Sequence, residues 1–185
     1  ATERLLLNIL SHLSGISTHT NKIVRIAKKV NPNVEILATR KTLPGLRDIE
    51  KRAVVHGGGA THRMRLDDAI LIKDNHLKLS KNIKKSIEIS RSKYPNLMVE
   101  VEADNEQQAI EIAKNGADRV MLDNFSPDEA TATIRKLREI SDIEIEISGG
   151  VTIENVASYA KDADFISLGS LTMSSLPVDF SLHVL

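Results

Sequence analysis

The chain has 185 residues, of which 41% are hydrophobic and 27% charged, a composition typical of one soluble globular domain. Twenty-five basic side chains balance 25 acidic ones, so the net charge favours neither nucleic acid nor an anionic membrane as a partner. The absence of cysteine excludes disulfides and thiolate chemistry, and since no apolar run approaches the roughly 20 residues of a membrane span, we expect a cytoplasmic protein.

The hydrophobic pattern predicts leading helices followed by a parallel α/β fold. Amphipathic segments predict helices at about 2–13 and 18–30, separated by the sequence SGIS. From Val34 onward, short β-branched runs alternate with helical segments, which is typical of βα units. The predicted strands are 34–39, 69–73, 97–103, 119–123, 143–148 and 165–169.

Capping residues predict where two of the later helices begin. Ser80 precedes one helical pattern, and Ser126, followed by Pro127 and two acidic residues, precedes another. The last segment, 173–185, has the pattern of either an extra strand or a tail.

Six βα units in 185 residues are too few for a complete eight-unit barrel, which needs about 250 residues. The sequence therefore predicts either an open doubly wound sheet or an incomplete, open parallel β/α barrel of about six strands. We expect a single domain over 1–185, made of leading helices (1–32), βα units (33–172) and the tail or strand (173–185). In both folds, functional residues lie at the carboxyl ends of the strands.

Positive charge gathers at the first two strand ends. Arg40 and Lys41 follow the first predicted strand, His62 and Arg63 precede the second, and Lys73 ends it. Singly, each cation is more often a solvated surface residue, and a lone histidine is as often structural. Together, however, like charges destabilise the fold unless an anion neutralises them, so the cluster predicts a ligand with several negative charges.

Acidic residues end the third and fourth strands. Glu102 and Asp123 occupy these positions, and strand alternation places Glu100 on the same face as Glu102. Two interpretations stay open: the acids pair with the cations, or they hold Mg²⁺ and sugar hydroxyls through their oxygens.

Small residues end the last two strands. Elsewhere in the sequence, the spacing of the histidines does not match a zinc motif. Glycine lets a backbone approach a ligand closely, and amide groups at a helix start, here expected near Thr152, bind phosphate. The residues concerned are Ser148, Gly149, Gly150, Gly169 and Ser170. The three groups of strand ends predict an enzyme that joins a phosphorylated sugar to a small organic acid.

Several of these segments match a known family in order and spacing. The motifs TRKTLPGLR, HR and LIKDNH, followed by EVE, LDN, SGGV and LGSLT, resemble the catalytic domain of quinolinate phosphoribosyltransferase. The resemblance covers about Thr2 to Thr172. It implies an open six-stranded barrel that makes nicotinate mononucleotide, an NAD precursor, from quinolinate and phosphoribosyl pyrophosphate with Mg²⁺, releasing pyrophosphate and carbon dioxide.

The resemblance also implies roles for individual residues. The quinolinate pocket would consist of Arg40, Lys41, His62, Arg63 and Lys73. The catalytic residues would be Lys41, Lys73, Glu102 and Asp123, the two acids serving the ribose hydroxyls and the metal. The 5-phosphate would bind Ser148, Gly149, Gly150, Gly169 and Ser170. Arg4 would complete the pocket of a neighbouring subunit in a homodimer or larger homo-oligomer.

The chain departs from the family pattern in two places. Thr61 stands where the family usually has asparagine, and we expect the family's amino-terminal domain to be missing from this chain. Three alternatives stay open: an enzyme acting on nicotinate, an aldolase-like barrel with Lys73 or Lys41 as a Schiff base, and a barrel that binds phosphate and carboxylate without turnover.

Overall fold

A computed structural model describes residues 2–80 and 82–183, which fold around one six-stranded parallel sheet. The strands are β1 (Glu35–Ala38), β2 (Ile70–Ile72), β3 (Val99–Ala103), β4 (Arg119–Asp123), β5 (Glu144–Ser148) and β6 (Phe165–Leu168). Their order is β1-β6-β5-β4-β3-β2, the cyclic order of a barrel interrupted between β1 and β2. The prediction of an incomplete, six-stranded β/α barrel is therefore confirmed.

Helices pack against the outer face of this sheet. They are α1 (Thr2–Val30), α2 (Arg47–His56), α3 (Asp74–Ser80), α4 (Ile83–Lys93), α5 (Glu106–Lys114), α6 (Pro127–Ile140), α7 (Val156–Ala160) and α8 (Ser170–Met173). Outward strand residues such as Val101, Val120 and Ile145 join the helices in one buried apolar core. Within 2–80 and 82–183, every helix is too short or too polar to cross a membrane.

The prediction of two leading helices was wrong, because α1 continues unbroken through the sequence SGIS. Gly15 is buried in the middle of this helix, and a Cβ atom there would lie 2.2 Å from the carbonyl oxygen of Leu176. The glycine therefore allows close approach of the carboxyl-terminal segment and does not mark a turn. Ile16 and Thr20, which follow Gly15 and are both buried, fix the helix against the body of the protein.

One of the two predicted helix starts is confirmed. Ser126 caps α6 in a capping box with Glu129, in which each side chain bonds the backbone of the other residue. Ser80 instead ends the short helix α3, so the next helix begins later than predicted. Asn82 caps α4, and its side chain accepts a 2.8 Å hydrogen bond from the backbone N–H of Lys85.

The carboxyl-terminal segment is a tail and not a strand. Residues 174–183 have no regular secondary structure, and residues 184 and 185 of the predicted segment lie outside the described residues. The backbone N–H of Val178 donates a 3.0 Å hydrogen bond to the carbonyl of Ser11, which ties the tail to α1.

The opening between β1 and β2 is bridged by the loop that carries His62 and Arg63. Ala60 donates to the carbonyl of Ile36 at 2.8 Å and accepts from the N–H of Ala38 at 2.9 Å, so it pairs with β1. On the other side, Arg63 donates from its side chain to the carbonyl of Ala69, directly before β2, at 3.3 Å. The cations predicted from the sequence thus lie where the barrel is incomplete.

Candidate active site

A cavity of about 740 Å³ opens at the carboxyl ends of the strands, where a β/α barrel carries its functional residues. It brings together most of the predicted site: Arg40, Lys41, His62, Arg63, Lys73, Asp123, Ser148, Gly149, Gly150, Gly169 and Ser170. Two predicted residues lie elsewhere. Arg4 is exposed near the start of α1, and Glu102 lies behind Lys73.

Lys41 is held against the last strand end through its backbone and its methylene groups. Its carbonyl accepts a 2.5 Å hydrogen bond from the hydroxyl of Thr172, and its N–H donates to the Thr39 hydroxyl at 3.1 Å. A Cβ atom on Gly169 would lie 3.1 Å from the Lys41 Cδ. The glycine therefore leaves room for the lysine stem, and the ammonium group stays accessible from the cavity.

Arg63 combines burial with an unused hydrogen-bond donor. The residue is only 8% exposed, and its Nε atom has no hydrogen-bond partner among the described residues. Burial lowers the pKa of Arg63, and the positive charge of Arg40 adds to this effect. A bound anion would both satisfy the free N–H and neutralise the paired charges.

Arg47 also lines the cavity, although the sequence analysis did not select it. Its Nε atom donates to the hydroxyl of Thr42 at 3.2 Å, and a terminal nitrogen lies 3.5 Å from the Met64 carbonyl. Arg47 thus contacts both loops that carry cations, the one with Arg40 and Lys41 and the one with His62 and Arg63. The residue was missed because it belongs to a helix and not to a strand end; its position in the first turn after TRKTLPG was the available signal.

His62 lies above two buried carboxylates. Its Nε2 atom is 3.1 Å from a carboxylate oxygen of Glu100 and 3.1 Å from one of Glu146. Burial alone would lower the pKa of His62, but these two carboxylates raise it to about 9. The backbone N–H of Arg63, 2.7 Å from Nδ1, instead favours a ring whose Nδ1 carries no proton. In either state, Nε2 carries the proton that faces the two acids.

The same three residues have the spacing of a metal site but already satisfy one another electrostatically. Ligand atoms of His62, Glu100 and Glu146 lie within 4.8 Å of one another. A protonated Nε2 has no lone pair for a metal, and Arg119 adds a second cation 3.3 Å from Glu146. Burial raises the pKa of Glu100. Burial also acts to raise the pKa of Glu146, but the neighbouring His62 and Arg119 outweigh it, so the pKa of Glu146 is lowered.

Lys73 and Glu102 form an ion pair at the second and third strand ends, with 2.8 Å between Nζ and Oε2. The Glu102 side chain is 7% exposed and the Lys73 side chain 49%. The carboxylate therefore orients the lysine from behind, in agreement with the structural interpretation of the strand-end acids.

Asp123 presents the most accessible carboxylate of the strand ends. Asn124, which the sequence analysis did not select, donates from its side chain to Asp123 Oδ2 at 2.6 Å. Asn124 adopts a left-handed backbone conformation with a φ of 58°, and its N–H donates to the Ser148 carbonyl at 2.9 Å. A Cβ atom on Gly149 would lie 2.3 Å from Asn124 Oδ1, so this glycine is needed for the asparagine to sit there. Asp123 Oδ1 has the oxygen chemistry that Mg²⁺ prefers.

The glycine pair after β5 forms a turn and not the start of a helix. The prediction of a helix start near Thr152 was wrong, since α7 begins at Val156. The side chain of Asn155 instead accepts a hydrogen bond from the Thr152 N–H and donates one to the Gly150 carbonyl. Gly149 and Gly150 have φ values of 81° and 64°, which turn the backbone in a way that L side chains rarely allow. Successive backbone amides in such turns can form a concave anion site.

Comparisons with known proteins identify similar sequences of one family. Residues 16–183 match the family described as "Quinolinate phosphoribosyl transferase, C-terminal domain". A probable carboxylating nicotinate-nucleotide pyrophosphorylase of Archaeoglobus fulgidus is 46% identical over 100% of this chain and 72% of that protein. The carboxylating nicotinate-nucleotide pyrophosphorylase of Homo sapiens is 38% identical, over 98% of this chain and 62% of the human protein.

Solved structures lead to the same family. NadC from Streptococcus pyogenes superposes with a TM-score of 0.89 at 39% identity, over 97% of this chain and 62% of that one. The nicotinate-nucleotide pyrophosphorylase from Ehrlichia chaffeensis has a TM-score of 0.89 at 37% identity, over 96% and 64%. The chain thus spans 62 to 72% of the length of these four proteins. Because the match to this family covers residues 16–183, the chain belongs to the quinolinate phosphoribosyl transferase C-terminal domain family.

Proposed function

We propose that this chain transfers a phosphoribosyl group from phosphoribosyl pyrophosphate to quinolinate and releases carbon dioxide, giving nicotinate mononucleotide and pyrophosphate. One observation carries the proposal: a single cavity is lined by six positively ionisable side chains and by the glycines of the last two strand ends. The names of the relatives, carboxylating nicotinate-nucleotide pyrophosphorylases, support the same reaction.

In this proposal, the cation-rich wall binds quinolinate. Arg40 and Arg63 would each contact a carboxylate, since a guanidinium offers two parallel N–H groups and Arg63 has an unused donor. His62 would fix the ring position, with its Nε2 proton held by Glu100 and Glu146. A diacid suits this wall better than nicotinate does, because nicotinate would leave one of the buried charges without a partner.

Phosphoribosyl pyrophosphate would occupy the part of the cavity that the last two strand ends line. The turn at Gly149 and Gly150 would bind the 5-phosphate together with Ser148, Gly169 and Ser170, whose hydroxyl is buried without a partner among the described residues. Lys41 and Lys73 would neutralise the pyrophosphate as point charges between the two substrates. Asp123 would accept hydrogen bonds from the ribose hydroxyls.

Mg²⁺ fits Asp123 better than it fits Glu102. The Glu102 carboxylate is bonded to Lys73 at 2.8 Å and is nearly buried, whereas Asp123 lines the cavity and has one oxygen free of Asn124. Asp123 would hold the ion together with substrate oxygens, and the ion would supply positive charge to the departing pyrophosphate. Glu102 would act by fixing the position of Lys73.

The reaction needs no covalent enzyme intermediate. The pyridine nitrogen attacks the ribose anomeric carbon while its bond to the pyrophosphate oxygen breaks, and that oxygen keeps the electron pair. Lys41 and Lys73 stabilise the negative charge that develops there, and Asp123 the positive character of the ribose. The bond from the ring to the adjacent carboxylate then breaks; its electron pair stays on the ring carbon beside the positively charged nitrogen and is finally protonated.

The fuller assembly is also part of the proposal. Arg4 lies outside the cavity of its own chain, and the neighbouring side chains of Leu5, Leu6 and Leu10 are 47 to 61% exposed. A homodimer or larger homo-oligomer would cover this apolar stripe and bring Arg4 to a second subunit. The cytoplasm is the compartment proposed for a protein with no cysteine.

Calorimetric titration of the chain tests the substrate, with nicotinate as the matched ligand that lacks one carboxylate. We expect quinolinate to bind at least about tenfold more tightly, since one charged hydrogen-bonded pair is lost with nicotinate. Arg63→Ala should weaken quinolinate binding about a hundredfold and phosphoribosyl pyrophosphate binding far less, while Arg65→Ala, an exposed control nearby, should change neither.

Three other outcomes would contradict parts of the proposal. Equal losses for both ligands in Arg63→Ala would contradict the division of the cavity. Preference for nicotinate would favour the nicotinate-type enzyme, and tight binding of both substrates without nicotinate mononucleotide in a product assay would favour a barrel that binds without turnover.

A further inference from the structure

Two adjacent residues of α2, Glu50 and Lys51, are charged and completely buried. Such side chains are almost never fully buried unless they have partners. Neither lines the cavity, but their partners lie in the two loops that carry the cations. The charged neighbours Asp48 and Arg52 on the same helix are exposed, in contrast to this pair.

Lys51 holds the loop that carries His62 and Arg63. Its ammonium group donates hydrogen bonds to the carbonyls of Thr61 and Arg63, the residues on either side of His62. His62 has a φ of 44°, a left-handed conformation that is unusual for a residue other than glycine and needs support from its surroundings. The contact uses the backbone of Thr61, so threonine in place of the family's asparagine leaves it unchanged.

Glu50 holds the loop that carries Arg40 and Lys41. One carboxylate oxygen accepts the backbone N–H of Leu43, two residues after Lys41, at 3.1 Å. The other accepts a 2.7 Å hydrogen bond from the ring of His12 on α1. The carboxylate thereby fixes the first cationic loop to two helices at once.

These contacts oppose a repulsion inside the site. Burial lowers the pKa of Arg63, and the positive charge of Arg40 lowers it further, so these two cations repel each other. Lys51 adds to this repulsion: burial, followed by Arg47, Arg40 and Arg63, lowers its pKa to about 8, although Asp68 acts in the opposite direction. Mutually repelling cations separate unless their backbones are held, and here the holding groups, Glu50 and Lys51, are not among the residues that line the cavity.

We propose that Glu50 and Lys51 are positioning residues, each holding one cation-bearing loop in the geometry that binds the anionic substrate. Glu50 sets the position of Arg40 and Lys41, and Lys51 that of His62 and Arg63. The consequence for substrate affinity rests on the proposed function, whereas the consequence for loop order does not.

Hydrogen exchange followed by mass spectrometry tests the proposal on the whole chain without ligand. Lys51→Met should speed exchange of the amides at 61–65 about tenfold or more, the change expected when one or two hydrogen bonds are lost, and should leave 41–46 within about twofold. Glu50→Gln should give the reverse pattern. Arg52→Met and Asp48→Asn, exposed neighbours on the same helix, are the matched controls and should change neither loop.

Faster exchange in only one loop, a different loop for each variant, distinguishes a positioning role from a general loss of stability. Equal acceleration in both loops and in β3 and β4 would overturn the proposal, as would unchanged exchange in the loop assigned to each residue. If Lys51→Met fails to fold, Lys51→Gln replaces it, because its amide group can still donate hydrogen bonds from a shorter side chain. Exchange at 61–65 should then rise less than in Lys51→Met, and exchange at 41–46 should again stay within about twofold.

Titration of the same variants separates this proposal from the proposed function. If the parent chain binds quinolinate, Lys51→Met should weaken that binding about tenfold with little change in phosphoribosyl pyrophosphate affinity, and wild-type affinity in that variant would contradict the positioning role. If the parent binds no quinolinate, the proposed function fails, and the exchange pattern still decides whether Glu50 and Lys51 hold the loops.

Discussion

The two faces of the sheet are built on opposite principles. The outer face carries Val101, Val120 and Ile145 against the helices, and apolar burial there stabilises the fold without specifying chemistry. The inner face carries Glu100, Arg119 and other ionisable groups, and the cost of removing charged groups from water offsets much of their attraction. The outer layer therefore stabilises the fold, and part of that stabilisation offsets the cost of burying charged groups beneath the cavity.

The largest expected effect comes from breaking the inner ionic layer. Arg119 bonds Glu144 and Glu146 and stacks on the ring of Phe165, 3.7 Å from the centroid. Arg119→Met should lower the free energy of unfolding by about 3–5 kcal/mol, because Glu146 is left buried with less compensation. Urea denaturation measures this loss.

The control for Arg119 is an ion pair on the surface. Lys136 contacts Glu106 at 2.6 Å with both side chains partly exposed, and Lys136→Met should lower the free energy of unfolding by less than about 1 kcal/mol. Similar losses in the two variants would remove the distinction between the inner layer and the surface.

A slightly smaller loss is expected from the outer layer. Leu137 on α6 is completely buried, and Leu137→Ala should lower the free energy of unfolding by about 2–4 kcal/mol. Ile140→Ala, at a residue of the same helix that is 45% exposed, should cost less than about 1 kcal/mol. Ligand affinity should stay unchanged in both folded variants, and a change in quinolinate affinity for Leu137→Ala would show that the two layers are coupled.

The last expected effect is a pH dependence that belongs to the inner layer alone. With a pKa of His62 near 9 in the folded state and near 6.5 when unfolded, its stabilising contribution is complete below about pH 6.5 and is lost as the pH rises through 9. The difference in unfolding free energy between the parent and His62→Gln should therefore shrink over this window. Glu100 and Glu146 are the carboxylates that raise this pKa against the effect of burial, and Arg119 and Arg63 are the other charged groups near them.

A flat difference across that window would have a definite meaning. It would show that Nδ1 accepts the Arg63 N–H throughout and that the ring never takes a second proton. Ring nitrogen chemical shifts of His62, measured over the same pH values, distinguish the two states.

The outer layer was largely predictable from the sequence. All six strands lie within the predicted runs, because β-branched segments between helical patterns have few alternatives. Ser126 marked its helix correctly because its capping box is entirely local. Gly15 was misinterpreted because its role depends on Leu176, about 160 residues away, which no local pattern contains.

In the inner layer, only the residues at the carboxyl ends of the strands could be predicted from the sequence. Strand ends identified Arg40, Lys73 and Asp123, but Glu146 was missed although alternation places it on the same face as Ser148. Glu50 and Lys51 had no such signal, since a charged pair in an amphipathic helix is ordinarily solvated. What could not be predicted is which partner each charge finds, because that depends on loops brought together by the closed part of the barrel.

The bridge formed by Ala60 has a consequence for how the chain behaves at high concentration. An unfinished sheet ends in rows of free backbone groups, which recruit strands from other molecules and lead to aggregation. Here the two terminal strands are only four and three residues long, and Ala60 occupies part of the β1 edge through hydrogen bonds of 2.8 and 2.9 Å. The loop that carries His62 and Arg63 therefore also protects the sheet from self-association, which limits how far evolution or design can shorten it.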